Sequence, residues 1–409
     1  MEFLRATLDN GLTLIGERNP EAKSVAAAYL VRTGARDETA AEAGLSHFLE
    51  HMLFKGTPRR TAEDVNREFD ELGAQYNAFT TEEATLYYGA VLPEFQGRVL
   101  DLLTDMMRPS LRPADFDMEK QVILEEIALY QDRPEAILND AVRAAYFGGH
   151  PLGNSVLGTT ASVTALTPEQ MRDYFDRRYA PGNLTLALTG CFDWEAARSL
   201  IEDLSGDWQP NEAPRDLAEA TPHALVKAIP ADRFQRQNIA LLAPGCSAQD
   251  PRRYAADILG HMLGGGEGSR LHRALVEPGL AEMAHCSHAE EDGAGVFGVH
   301  LACDPGRAQE VLDVARGVLA EVTESGFDEL ELRRSQRQAA AALVLQEETP
   351  LGRLIPFGFD WLYRHEIVAL DEVIDRYLAV TLDDVTAILA GRPFDTMAVL
   401  GLGPATELH

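Results

Sequence analysis

Two stretches of this chain repeat one another at a separation of 210 residues. Residues 47–54 have the sequence His-Phe-Leu-Glu-His-Met-Leu-Phe, and residues 257–264 have Asp-Ile-Leu-Gly-His-Met-Leu-Gly. Further similar pairs follow in the same order: Phe116-Asp117 with Phe327-Asp328, and Leu166-Thr167 with Val380-Thr381. Landmarks that recur in one order at a nearly constant offset predict a duplicated domain rather than a solenoid of short repeats.

The length of the chain agrees with such a duplication. At 409 residues it exceeds what one ordinary hydrophobic core holds. Strand-like alternation, with a hairpin turn at Asn10-Gly11, is interspersed with amphipathic helical patterns. We predict an α+β fold of two homologous domains, each a mostly antiparallel sheet packed with helices. The predicted divisions are residues 1–205, a linker rich in proline and polar residues at 206–221, and residues 222–409.

The charge balance excludes some classes of partner. The formal net charge is −29, with 65 acidic and 36 basic residues. Such a chain is repelled by nucleic acid and by anionic membranes, so neither is expected as a partner. The four cysteines include no Cys-x-x-Cys pair, so the sequence indicates neither a disulfide framework nor a thiolate zinc site.

The N-terminal residues predict a location. Met1-Glu-Phe-Leu-Arg-Ala-Thr-Leu enters an alternating strand with charges of both signs, unlike a signal or transit peptide. No stretch of the sequence is long and apolar enough to span a membrane. We therefore expect a cytoplasmic protein.

The first member of the repeated pair predicts a helix at about 42–54 with two distinct faces. Its apolar stripe, at positions i, i+3, i+4 and i+7, is Leu45, Phe48, Leu49 and Met52. The opposite face carries His47, Glu50, His51 and Phe54. Two imidazoles one turn apart can bind one metal ion, although a solvated helix face often has the same residue types. The order His-x-x-Glu-His is the inverse of the His-Glu-x-x-His zinc helix, and a third ligand must come from elsewhere.

A second helix, predicted at 114–131, is rich in glutamate. Glu119 and Glu126 are two turns apart and share one face, whereas Glu125 is rotated by about 100°. A solvated acidic face would have the same spacing. Spacing alone therefore does not make Glu126 a metal ligand.

Longer motifs carry a resemblance that covers nearly the whole chain. These motifs are His47-Phe-Leu-Glu-His51, Leu-Phe-Lys-Gly-Thr57, Asn77-Ala-Phe-Thr-Thr-Glu-Glu-Ala-Thr-Leu-Tyr87, Val122-Ile-Leu-Glu-Glu-Ile127 and His150-Pro-Leu-Gly-Asn-Ser-Val-Leu-Gly158. Together with the two-copy organisation, they resemble the inverzincin metallopeptidases of the pitrilysin type. That family includes mitochondrial processing peptidase and insulin-degrading enzyme.

The resemblance implies a zinc endopeptidase with one zinc ion per chain. His47, His51 and Glu126 would be the zinc ligands, and Glu119 would orient a ligand imidazole. Glu50 would be the general base that deprotonates the attacking water. The second copy has Asp257 and Gly260 in place of His47 and Glu50, so it is expected to lack the metal site.

The resemblance also implies how a peptide would be held. Asn77 and Ala78 match the segment that binds substrate as an added strand at a sheet edge. An edge strand offers unpaired N–H and C=O groups, so it binds extended or unfolded peptides with little dependence on their side chains. A turn-capping role for Asn77 is the alternative.

One part of the family pattern is missing. In the family, an Arg and a Tyr seven residues apart in the second half contact the substrate and the developing oxyanion. Leu275 and Glu282 occupy those positions here. The departure favours a heterodimer in which a paralogous subunit supplies the Arg/Tyr pair. A chain acting alone or as a homodimer, and a non-catalytic structural or peptide-binding subunit, are the alternatives.

Overall fold

The computed structural model describes residues 1–211 and 213–409. Its strands are β1 (Glu2–Thr7), β2 (Thr13–Arg18), β3 (Val25–Val31), β4 (Gln75–Thr80), β5 (Thr85–Val91), β6 (Leu184–Gly190), β7 (Leu225–Pro230), β8 (Gln237–Pro244), β9 (Met283–Glu291), β10 (Ala294–Cys303) and β11 (Ala398–Gly403). Its helices are α1 (Leu45–Leu53), α2 (Ala62–Glu71), α3 (Gln96–Met106), α4 (Pro113–Tyr130), α5 (Pro134–Phe147), α6 (Thr160–Ala165), α7 (Pro168–Arg178), α8 (Trp194–Ser205), α9 (Arg253–Gly264), α10 (Ala308–Ser325), α11 (Glu329–Glu347), α12 (Pro350–Arg364), α13 (Leu370–Leu378) and α14 (Leu382–Leu389). Within the described residues no helix combines the length and the apolar character needed to cross a membrane.

The first compact unit is built around a six-stranded sheet. It comprises Met1–Ala128, Asn154–Asp216 and Gln346–Val368. The strand order is β1-β2-β6-β3-β5-β4, antiparallel except for the parallel pair β2 and β6. The central strand β3 is buried along its whole length because both faces of the sheet are covered by helices. Strand β4 forms one edge of the sheet.

The second compact unit repeats this topology with five strands. It comprises Leu129–Gly153, Leu217–Leu345 and Ala369–His409. Its strand order is β7-β11-β8-β10-β9, with β7 and β11 parallel and the other pairs antiparallel. This is the order and direction of β2-β6-β3-β5-β4 in the first unit. The predicted α+β class with two mostly antiparallel sheets is confirmed, and the repeated order supports the duplication.

Each unit includes one helix from the other half of the sequence. Helix α12 belongs to the first unit, where Phe357 is fully buried against the sheet face that carries Leu30. Gly358 permits this close packing because a Cβ there would lie 2.5 Å from Cδ2 of Leu30. Helix α5 belongs to the second unit, where Val142 is buried against the face that carries Leu242. Since α5 follows α4 and α12 follows α11, corresponding helices of the two copies have changed places.

The segment after α8 is held to the first unit by ion pairs. The Arg215 side chain is 1% exposed, and its guanidinium lies 2.7 Å from Oδ2 of Asp37. Asp37 also binds Arg178 at 2.7 Å. Position 212, within the predicted linker, lies outside the described residues. The division into 1–205, 206–221 and 222–409 stays a prediction.

Candidate metal centre

Helix α1 presents its polar residues opposite its apolar stripe. The stripe is buried in the core of the first unit and consists of Leu45, Phe48, Leu49 and Met52. On the other side His47 is buried, while Glu50 and His51 are half-buried. The helical period therefore brings two imidazoles and a carboxylate to one side of α1.

A carboxylate from outside the helix fixes the start of α1. Gly44, which precedes the helix, has a φ of 95° and offers no side chain as a cap. Glu38 instead accepts hydrogen bonds of 2.7 Å from the backbone N–H groups of Gly44 and Ser46. Burial raises the pKa of Glu38 to about 8, and these N–H donors oppose the rise. The Glu38 carboxylate thus takes the role that an N-cap side chain usually has.

Glu126 on α4 completes a group of three potential ligands with the two histidines. Its Oε2 lies 3.7 Å from Nε2 of His47 and 3.6 Å from Nε2 of His51. One ligand atom from each residue lies within 4.8 Å of the others. These nitrogen–oxygen distances are too long for hydrogen bonds, which span about 2.7–3.2 Å, so Glu126 is not hydrogen-bonded to either histidine. Ligand atoms at about 2.0–2.2 Å from one tetrahedral ion lie about 3.3–3.6 Å apart, so the donor types suit zinc and the two separations from Glu126 are close to those required.

A second carboxylate on α4 orients one imidazole. Nδ1 of His51 lies 2.9 Å from Oε1 of Glu119, and Oε2 of Glu119 lies 2.5 Å from Nζ of Lys55. With its proton on Nδ1, the His51 ring keeps the lone pair of Nε2 towards Glu126. Burial would raise the pKa of Glu119, but the hydrogen bonds from His51 and Lys55 hold that pKa below its usual value. Glu119 is therefore an ionised acceptor.

The two histidines differ in their electrostatic surroundings. Burial, together with the charge of His51, lowers the pKa of His47 to about 3, so His47 is neutral near pH 7. Burial also acts to lower the pKa of His51, but the hydrogen bond to Glu119 and the surrounding carboxylates raise it overall. Within the described part of the chain, the buried Nδ1 of His47 has no hydrogen-bond partner. A neutral imidazole is the form that binds metals, so a cation would replace a proton on Nε2 of His51 while Nδ1 keeps its proton towards Glu119.

Glu50 lies on the same face of α1 but outside the three-ligand group. Its Oε2 accepts a hydrogen bond of 2.7 Å from Oγ1 of Thr80 on β4. Burial raises the pKa of Glu50, the Thr80 hydrogen bond and His51 oppose the rise, and the charge of Glu126 adds to it. A half-buried carboxylate with a raised pKa is suited to accept a proton from water.

Asn77 and Ala78 lie in the middle of the edge strand β4. The strand pairs with β5, where Asn77 is opposite Tyr88, and no described strand pairs with its other side. The Asn77 side chain is exposed and that of Ala78 is buried, as alternation in a strand requires. The backbone of β4 thus has one unpaired edge within two or three residues of Thr80.

The second copy uses the corresponding positions differently. Asp257, which replaces His47, lies 2.6 Å from Nδ1 of His288 and accepts a hydrogen bond of 2.6 Å from the Tyr377 hydroxyl. Gly260, which replaces Glu50, packs so closely on β9 that a Cβ would lie 3.0 Å from the backbone nitrogen of His288. Among the described residues, the His47 group is the only set of three possible metal ligands.

The two positions where the family has Arg and Tyr offer no hydrogen-bond donor. Leu275 is fully buried in the core of the second unit. Glu282 is exposed and pairs with Arg236, whose Nε lies 2.7 Å from its Oε1. Neither side chain can stabilise an oxyanion.

Sequence reasoning missed Lys55 and Thr80, although both lie in quoted motifs. Lys55 follows His51 by four residues, so the helical period could have indicated it, but α1 ends at Leu53. Thr80 follows Ala78 by two residues on the same face of β4, and strand alternation could have indicated it.

Comparison with protein-family models gives two matches. Residues 13–160 match the model described as Insulinase (Peptidase family M16). Residues 165–339 match the model described as Peptidase M16 inactive domain. The first match contains all the residues of the candidate metal centre, and the second contains the altered copy of α1.

Individual proteins are similar over nearly the full chain. An uncharacterized zinc protease of Streptomyces coelicolor is 33% identical over 97% of this chain and 89% of its own length. The uncharacterized zinc protease YmxG of Bacillus subtilis is 30% identical over 94% of each chain. Among solved structures, a protease from Helicobacter pylori has a TM-score of 0.90 at 19% identity and covers 98% of this chain and 99% of its own. A putative M16-like peptidase from Alicyclobacillus acidocaldarius has a TM-score of 0.85 at 24% identity, over 98% of each chain. At such identities these structures show the fold.

Proposed function

The chain belongs to peptidase family M16, the insulinase type, and we propose that it is a zinc-dependent endopeptidase acting on extended or unfolded peptides. His47, His51 and Glu126 would hold one zinc ion per chain. The observation that carries the proposal is the position of Glu126 Oε2, 3.6–3.7 Å from Nε2 of both histidines. Glu50 lies beside this group on the same helix face but is not one of the three ligands, so its carboxylate would be available as a general base.

The residues of the first unit would divide the reaction between them. Zinc, when bound, would polarise the scissile carbonyl and lower the pKa of a water molecule towards neutrality. Glu50 would take the proton of the attacking water and pass it to the leaving amine, which its raised pKa supports. The free edge of β4, around Asn77 and Ala78, would hold the peptide backbone as an added strand.

The second unit supports a proposal about partners. This chain has Leu275 and Glu282 at the positions where the resemblance implies the Arg/Tyr pair. Leu275 is buried in a core and Glu282 is ion-paired with Arg236, so neither can replace the missing donors. A missing oxyanion donor typically costs about 10²–10³-fold in rate. We propose that the chain is the zinc-bearing subunit of a dimer whose paralogous partner supplies the pair. A cytoplasmic location stays a prediction.

Glu50→Gln tests the catalytic proposal. Glutamine has almost the same shape but cannot accept the proton, so peptide hydrolysis should fall by about 10²–10⁴-fold. Zinc content and affinity should stay at the wild-type level because Glu50 is not a ligand. Glu125→Gln, on the exposed side of α4, is the matched control and should leave hydrolysis unchanged.

The assay is run on the chain alone and after mixing with a paralogue that carries the Arg/Tyr pair. A large gain in rate on mixing supports the heterodimer, and an equal rate supports a chain that acts by itself. Zinc-loaded protein that cleaves no peptide in either case would contradict the endopeptidase proposal. The alternative, a structural or peptide-binding subunit, would then stand.

A further inference from the structure

We infer that Thr80 is a positioning residue that holds Glu50 in place and links it to the strand on which a peptide would be added. This inference rests on the proposed function, because it assigns a task to Thr80 within the same reaction. Thr80 itself would contact neither the water nor the scissile bond.

The shorter of the two contacts of the Thr80 hydroxyl is with Glu50, since the other, to Oγ1 of Thr85, is 3.5 Å long. Oγ1 of Thr80 lies 2.7 Å from Oε2 of Glu50, and in the described part of the chain no other side chain donates a hydrogen bond to that carboxylate. Among the described residues, the hydroxyls of Tyr87 and Tyr179 bind each other at 2.8 Å, and neither forms a hydrogen bond with Glu50. A glutamate has several rotatable bonds, so a single well-placed donor can decide where its carboxylate points.

Thr80 is itself firmly placed. It is the last residue of β4 and pairs with Thr85 across the hairpin. In the following turn, the Thr81 hydroxyl accepts hydrogen bonds from the backbone N–H groups of Glu83 and Ala84. Arg36, which donates a backbone hydrogen bond of 2.7 Å to the Glu82 carbonyl, ties the turn to the body of the unit. The donor is thus fixed before any peptide arrives.

The placement of Thr80 connects peptide binding with proton transfer. Tyr76, Ala78 and Thr80 are every second residue of β4, so their side chains share the face towards α1. One backbone edge of the same strand has no described strand paired with it. A peptide strand added to that edge would therefore lie against the strand that holds the general base. We expect Thr80 to affect the chemical step and not the affinity for peptide.

Thr80→Val and Thr80→Ser separate the hydroxyl from the rest of the side chain. Valine keeps the branched shape and the strand preference but removes the donor, so kcat should fall by about 10–100-fold while KM stays within about twofold. Serine keeps the donor and should restore most of kcat. Zinc affinity, measured by competition with a chelator, should be unchanged in both variants. Thr7→Val, on the opposite edge strand of the same sheet, is the matched control and should behave as wild type.

Each other outcome overturns the inference. A wild-type kcat in Thr80→Val, or equal losses in the valine and serine variants, would remove the role of the hydroxyl. A loss of kcat accompanied by lower zinc affinity or a raised KM would indicate a general structural role. Failure of the proposed function is distinct: wild-type protein would then cleave no peptide, or Glu50→Gln would retain full activity.

Discussion

Three carboxylates near α1 are chemically alike, and their partners make them different. Glu126 lies close to the Nε2 atoms of two histidines without a hydrogen bond to either. Glu119 accepts hydrogen bonds from His51 and Lys55, which keep it ionised. Burial raises the pKa of Glu50, and Thr80 is its donor. The environment of each residue therefore agrees with the role proposed for it: ligand for Glu126, orienting group for Glu119 and base for Glu50.

Glu126→Gln tests the ligand role at this scale. Glutamine replaces the anionic carboxylate by a neutral amide oxygen, which is a weaker zinc ligand. We therefore expect zinc affinity to fall by at least about 100-fold. Zinc bound after dialysis, measured by elemental analysis, checks this. Glu125→Gln changes a neighbouring exposed carboxylate on the same helix and should retain zinc. Equal zinc content in the two variants would exclude Glu126 as a ligand.

The sequence anticipated the two faces of α1 but not how the helix begins. Periodicity predicted a helix at 42–54, whereas α1 starts at Leu45, after Gly44 in a left-handed conformation. Its cap comes from Glu38, six residues before Gly44 and outside any local capping pattern. The spacing between such a carboxylate and the helix it caps follows no general rule, so the sequence alone did not identify Glu38 as the cap. Glu38 thus positions the helix that carries the candidate metal centre, and only the fold reveals this.

Glu38→Ala should destabilise the first unit through the start of α1. Two buried N–H groups would lose their acceptor, which costs about 1–3 kcal/mol for an unsatisfied buried group. Urea denaturation of the zinc-free protein measures the change. Glu38→Gln retains one acceptor oxygen and should lose less, and Glu21→Ala, at an exposed position, should be neutral. Equal stability of the alanine variant and wild type would refute the capping role.

At the scale of the whole molecule, the sequence predicted the duplication and most elements. Helix α4 was expected at 114–131 and spans Pro113–Tyr130, because a long run of helix formers without glycine or an interior proline marks it. Glu126 could not be chosen from spacing, and only the resemblance singled it out. The exchange of α5 and α12 was not predictable. Either sheet offers an apolar face to such a helix, and periodicity does not indicate which one it covers.

The exchange predicts how the two halves behave when separated. Residues 1–205 alone lack α12, so the sheet face that carries Ile15, Ala28 and Leu30 would be exposed to water. This fragment should aggregate and bind a hydrophobic dye. Co-expression with residues 206–409 should abolish the dye binding, because α12 is then present. A monomeric fragment 1–205 that binds no dye would contradict the prediction.

The exchanged helices also have a consequence for inheritance. A gene that lost the second half would lose α12 as well, and with it the cover on one face of the sheet in the first unit. We therefore expect the first unit to need the second copy for folding, whatever that copy contributes to chemistry. The second copy has Asp257 and Gly260 where the first has a histidine and a glutamate, so we expect these positions to tolerate change and loss of the whole copy to be harmful. Because one helix from each half of the sequence packs in the unit of the other half, we expect the two halves to be inherited together.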